Sequence, residues 1–228
     1  GFLMALNSKK ATGGGSISEP LEAGTYKGRV VQVIDLGRQP QNAFQGKAKA
    51  PAQMVMLTYE LVDEFMKDED GQDIEDKPRW ISEKFVLHNL SADRAKSTIR
   101  LKALDPTDEL DGDLTALLDI PCHVTVVRNE SGGRVFANVA SISAVRDRDK
   151  RSWPPLINSP IFFDLDNPSL EDFNLLPDWV KKIIQENLDF KGSGLDRLLN
   201  MKGESKPAAS KKSNAAVPSP ELDDEIPF

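Results

Sequence analysis

Two histidines, two tyrosines and a single cysteine are all that 228 residues hold of those types. The lone Cys122 excludes an internal disulfide. Its place in an apolar run reads as a small buried hydrophobe, which suits a reducing cytoplasm. His88 and His123 fall in different predicted elements without metal-ligand spacing, so neither a metal site nor histidine-based catalysis is read from them. A phosphate-binding Gly-rich loop, a Gly-x-Ser-x-Gly elbow and a dinucleotide fingerprint are all missing. Acid pairs such as Asp111 and Asp113 arise freely among 36 Asp and Glu. No apolar run approaches membrane-spanning length, and no secretory signal is read. The expectation is a non-enzyme with no cofactor, no metal and no membrane partner.

An excess of basic residues is also lacking. The formal net charge is −7, from 29 Lys and Arg against 36 Asp and Glu. That is the wrong sign for a chain with a uniform basic footprint. The acid is concentrated, however. Residues 63–76 hold eight acids and one base, Lys67, and with them removed the span 17–146 carries 15 Lys and Arg against 13 Asp and Glu. A near-neutral body permits a local basic groove. The acidic stretch reads either as a solvated loop or as a repulsive edge of such a groove.

Residues 1–18 are expected to be flexible; residues 1–3 read as a cloning remnant ahead of Met4, the expected natural start. Residues 25–36 are rich in β-branched side chains and predict a first strand, with Gly28 as a bulge or bend. Residues 37–51 read as a loop, 53–61 as strand two and 79–87 as strand three. The period then changes. Residues 91–104 predict a helix capped by Ser91, with Ala95, Ile99, Leu101 and Leu104 on its apolar side; residues 110–118 suit a second short helix. Residues 121–128 and 134–140 predict a closing hairpin around the loop 129–133. Three strands, a helix and a hairpin form the element order of an OB-fold, a partly open five-stranded barrel, over residues 19–146. Residues 147–201 read as an extension packing on that barrel. It includes a helix over 177–187 whose apolar side is Trp179, Val180, Ile183, Ile184 and Leu188. Residues 202–220 contain three prolines and no aromatics, the composition of a disordered tether.

The chain closes on Asp223, Asp224, Glu225, Ile226, Pro227 and Phe228. Three carboxylates stand beside an apolar plug that Pro227 biases toward an extended shape, suited to an apolar pocket rimmed by Lys or Arg on a partner. This ending resembles the acidic protein-interaction tip of bacterial and phage single-stranded DNA-binding proteins, with Glu225 where Asp is usual. Residues 21–36 also resemble phage replication-module proteins of unknown role. The resemblance implies sequence-tolerant binding of single-stranded DNA in phage replication, recombination or repair, in the host cytoplasm, with replication and recombination proteins recruited through the tip. Bacterial members assemble as tetramers. The different extension here leads instead to an expected monomer or weak dimer that self-associates along DNA.

Such binding needs cations on phosphates and flat rings on bases. Alternation places Ile81, Phe85 and Leu87 inward on strand three, leaving Trp80, Ser82 and Lys84 outside. On strand five, Val135, Ala137 and Val139 go inward and Arg134, Phe136 and Asn138 outward. Trp80 and Phe136 are either stacking platforms or are capped by the extension. Tyr59 shares parity with Val55, Leu57 and Leu61 and reads as internal, while staying a candidate. Lys27 and Arg29 on strand one, Arg38, Phe44, Lys47 and Lys49 in the first loop, Arg79 beside Trp80, and Arg128 at the last hairpin complete the set. The rival readings are a recombination mediator or annealing protein with the same tip, and an acidic adaptor or DNA mimic that binds no DNA. If the tip competes with DNA for the basic groove, deleting residues 221–228 tightens oligo-dT binding at low salt; unchanged affinity contradicts that competition.

Overall fold

The computed structural model describes residues 19–201. The flexible N-terminus, the tether 202–220 and the tip 221–228 read from the sequence lie outside the described residues. The body is mainly β. Strands β1 (Gly24–Gln39), β2 (Ala52–Lys67), β3 (Asp73–Val86), β4 (Pro121–Ser131) and β5 (Arg134–Ala144) form an antiparallel sheet in the order β3-β2-β1-β4-β5. A short β6 (Ile161–Phe163) pairs parallel to β1. The helices are short: α1 (Lys96–Leu104), α2 (Asp147–Lys150), α3 (Leu170–Leu175), α4 (Asp178–Gln185) and α5 (Gly194–Met201). Among the described residues no helix is long and apolar enough to cross a membrane.

β1 is the hub. One edge pairs with β2; the other pairs first with β4, from Gly24 to Arg29, and then with β6, from Gln32 to Ile34. Its centre, Val30 to Ile34, is buried without a break. A strand covered on both faces reads as a continuous apolar run rather than an alternation. Bulges at Val31 and Leu36 shift its register against β2, whereas Gly28 pairs regularly. Gly28 answers a close approach instead: a Cβ there would lie 2.7 Å from Val124 Cγ2.

Two main cores result, one on each face, beside a small third cluster of Val62, Val145 and Trp153. Val33, Leu57, Tyr59, Leu61, Ile81, Phe85, Val124, Val126 and Ile142 fill the inner face together with Leu101 and Leu104 of α1. On the outer face Ile34, Leu36 and Met56 pack against Phe163, Phe173, Leu176, Val180, Ile184 and Leu195 of the extension. Each fully buried side chain of this size contributes about 1.5–3 kcal/mol. The lone thiol, Cys122, is fully buried in the inner core, and burial pushes its pKa up to about 12.

The inner face also contains an ion pair. Glu83 lies between Ile81 and Phe85 with almost no exposure. Arg100 of α1 donates to it from Nε at 2.7 Å and Nη2 at 3.1 Å, Tyr59 Oη donates at 2.8 Å, and Lys96 Nζ stands 3.3 Å away. Arg100 Nη2 also donates to the Ala140 carbonyl of β5 at 3.3 Å. One side chain thus ties α1 to both end strands, and β3 and β5 approach one another there. Burial opposes the charge on Arg100, but the bond to Glu83 holds its pKa above the ordinary value. The Tyr59 hydroxyl is pushed well up by burial and by the neighbouring carboxylate.

Several expectations need correction. β2 runs on to Lys67 and β3 begins at Asp73, so the acidic stretch is mostly a paired β-ribbon closed by a turn in which Asp68 Oδ1 accepts from the amides of Asp70 and Gln72. α1 starts at Lys96 without a side-chain cap, because residues 89–95 are taken up by turns such as Ser91 N–H to Asn89 Oδ1. It buries Ser97, Thr98, Arg100, Leu101 and Leu104 and leaves Ile99 exposed, since its inward face meets Glu83. The helix expected over 110–118 shrinks to a 3-10 turn at Thr115–Leu117. Leu188 lies past the end of α4 and is exposed. Val135 is exposed because the β4–β5 hairpin projects past the core.

Arg100→Met strands a buried carboxylate and is expected to cost about 3–5 kcal/mol, read as a fall in the urea midpoint. Combining it with Glu83→Leu recovers most of that loss; a double variant as unstable as the single contradicts the assignment.

Candidate nucleic-acid interface

On the outer surface Met56, Thr58, Glu60 and Val62 of β2 are buried, whereas on β3 Trp80 is exposed and Ser82 and Lys84 are half-buried. Glu60 and Trp80 are register partners across those strands, and their side chains meet: Trp80 Nε1 donates to Glu60 Oε2 at 3.0 Å. Trp80 remains 39% exposed although its Nε1 edge is tied to Glu60. Glu60 itself is fully buried. Its carboxylate accepts three further bonds from the turn after α2: Ile157 N at 2.6 Å, Asn158 N at 3.3 Å and Asn158 Nδ2 at 2.7 Å. No cation pairs with it among the described residues. Neutral N–H donors alone satisfy this buried charge.

Lys84 follows Trp80 on the same strand face, about 13 Å along at the rise of a β-strand. The β1–β2 loop leaves the sheet at that end, where Leu87 N–H bonds the Gln53 carbonyl. Its tip is built. Phe44 and Lys47 exchange two backbone bonds at 2.9 Å around Gln45 and Gly46, with φ of 48° and 73°. Both central residues take the left-handed conformation of a tight two-residue turn, which Gly46 adopts without strain. Lys49 Nζ stands 4.6 Å from the centroid of the Phe44 ring, and Phe44 is 38% exposed. The turn therefore brings together the aromatic and two cations that the sequence scattered over six positions.

At the other end of the sheet, β4 and β5 are joined by Gly132 and Gly133 alone, a tighter turn than the five-residue loop expected. Arg134 is exposed there, and Phe136 is half-buried opposite Asn129. Lys47, Lys49, Lys84 and Arg134 form no ion pair among the described residues. Lys27 is exposed, 3.9 Å from Asp63 and 5.6 Å from the Trp153 ring.

Other candidates are committed elsewhere. Tyr59 is fully buried on the inner face and bonded to Glu83, so it has no open ring face. Arg29 donates to the carbonyls of Pro154, Asp119 and Trp153 and to the Asp119 carboxylate, bracing the extension. Arg38 forms a bidentate pair with Asp189 at 2.9 and 2.7 Å, holding that carboxyl below its usual range. Arg79 donates to the Glu19 carbonyl at 2.5 Å, and Arg128 holds those of Leu21 and Pro20 at 2.8 Å each. These two arginines fasten the segment leading into β1. Glu60 and Asn158 were missed by sequence reasoning. Alternation puts Glu60 outside once Tyr59 is inside, but nothing local announces that residues 97 and 98 positions away close over it.

No protein-family model matches the chain, and no curated protein matches it.

Arg29→Ala breaks contacts with three backbone carbonyls and is expected to lower stability by about 1–3 kcal/mol, seen in thermal unfolding. Unchanged stability contradicts its bracing role.

Proposed function

We propose that this chain is a non-catalytic single-stranded DNA-binding protein, acting largely without regard to sequence. In this reading the sheet is an OB-type barrel, drawn together where β3 and β5 approach around Arg100. The observation that carries the proposal is Trp80: a half-exposed indole, held by its edge, on the same strand face as an unpaired lysine. An aromatic ring fixed in orientation offers a stacking surface without first losing rotamer freedom. The Phe44, Lys47 and Lys49 tip supplies a second ring with phosphate-binding cations, and Arg134 a further cation. The acidic β2–β3 ribbon lies at the end of the face away from that tip, so a bound strand runs from Trp80 toward Lys84. The acidic ending is proposed to recruit replication and recombination proteins in the cytoplasm of a host cell, as its resemblance implies.

Titration with oligo-dT tests this. Four phosphate contacts, from Lys47, Lys49, Lys84 and Arg134, give a slope of log K on log salt near −3 at about −0.7 per contact. Lys84→Ala should weaken that slope by roughly 0.7. Trp80→Ala should cost about 1–3 kcal/mol of binding. A protein that ignores oligo-dT in dilute buffer is an acidic adaptor instead, and one that speeds pairing of complementary strands is an annealing protein.

A further inference from the structure

We infer that Asn158, acting through the buried Glu60 carboxylate, is a positioning residue for the Trp80 stacking platform, so that the extension governs nucleotide binding from a place that touches no nucleotide. This rests on the proposed single-strand reading.

The geometry is specific. Glu60 Oε2 receives Trp80 Nε1 at 3.0 Å and Asn158 Nδ2 at 2.7 Å, while Oε1 receives the Ile157 amide at 2.6 Å. The carboxylate is a hinge pin between an indole on β3 and a turn on the extension. A buried anion without a counter-cation keeps its orientation only while its donors hold it. With the Asn158 amide removed, Oε2 loses its shortest bond and the carboxylate gains rotational freedom about its own axis. The indole then loses a fixed acceptor and samples further rotamers, which weakens stacking by an ordering cost rather than by loss of the ring. The turn is itself held in place. Trp153 Nε1 donates to the Gly28 carbonyl at 3.0 Å, Arg29 Nε holds the Pro154 carbonyl at 2.7 Å, and β6 pairs with β1 just beyond. Anchors on both sides of residues 157–158 make this a built contact rather than a loop resting on a surface.

The experiment is a double-mutant cycle on oligo-dT affinity, with Asn158→Ala made in the wild-type and Trp80→Ala backgrounds, together with the Trp80 indole N–H resonance of the wild-type protein, assigned by its loss in Trp80→Ala. The expected results are an affinity loss of about three- to tenfold for Asn158→Ala alone, little further loss when Trp80 is already Ala, and an indole proton protected from solvent exchange. An Asn158→Ala loss of the same size in both backgrounds overturns the positioning role, because a purely structural effect does not depend on the ring. So does an indole proton that exchanges as freely as an exposed one, a reading that requires no variant to fold. Wild-type affinity for Asn158→Ala overturns the positioning role alone. A wild-type protein that does not bind oligo-dT overturns the functional reading and the positioning role with it.

Discussion

The buried pair of Glu83 and Arg100 is the constraint around which the rest of the molecule is arranged. A carboxylate with almost no exposure, set between Ile81 and Phe85, is tolerable only if cations and donors reach it. Arg100, Lys96 and Tyr59 do so. The guanidinium can reach Glu83 only if α1 lies across the gap between β3 and β5, and its contact with the Ala140 carbonyl brings the far end of the sheet to the same point. The pair therefore selects a helix position and a sheet curvature along with its own local geometry. A hydrophobic replacement would fill the space without specifying which strands meet there.

A second buried carboxylate answers the first from the opposite face. Tyr59 and Glu60 are neighbours on β2, and alternation sends one side chain to each side of the sheet. Inside, the Tyr59 hydroxyl completes the set of donors to the Glu83 carboxylate. Outside, Glu60 joins Trp80 of β3 to the turn at Ile157 and Asn158. The consecutive pair thus links the inner core, Trp80 on the outer side of β3 and the extension. Arginines do comparable bracing at the margins: Arg29 holds the extension and Arg128 the entry to β1. Lys47, Lys49, Lys84 and Arg134 stay outside these ion pairs, as do the exposed Lys77, Arg94, Arg151 and Lys191 elsewhere among the described residues.

Much of the sheet was legible in the sequence because β-branched runs and alternation report local burial. The five strands, their order along the chain and the inward set of Ile81 and Phe85 followed from those signals. Glu83 and Arg100 did not, since each resembles a solvated charge until the fold brings them within 2.7 Å. Counting only apolar residues on α1 placed Ile99 inward, where the polar partner of Glu83 belongs. The acidic ribbon misled for a related reason: charge density suggested a loop, yet Phe65 opposite Pro78 and Lys67 opposite Asp73 continue the ladder. The surface set was half legible. Parity gave Trp80 and Lys84, and composition gave the Phe44 tip. No sequence rule shows that Arg29, Arg38, Arg79 and Arg128 are engaged by partners far along the chain.

Photo-crosslinking with a bromodeoxyuridine-substituted single strand reads the proposed face directly, because the crosslink forms where a base touches a ring. Crosslinked peptides should contain Trp80, with a second set containing Phe44. Crosslinks confined to the outer helices α3 to α5, or none at all on a strand that binds, would contradict a nucleotide path along β3 from Trp80 toward Lys84.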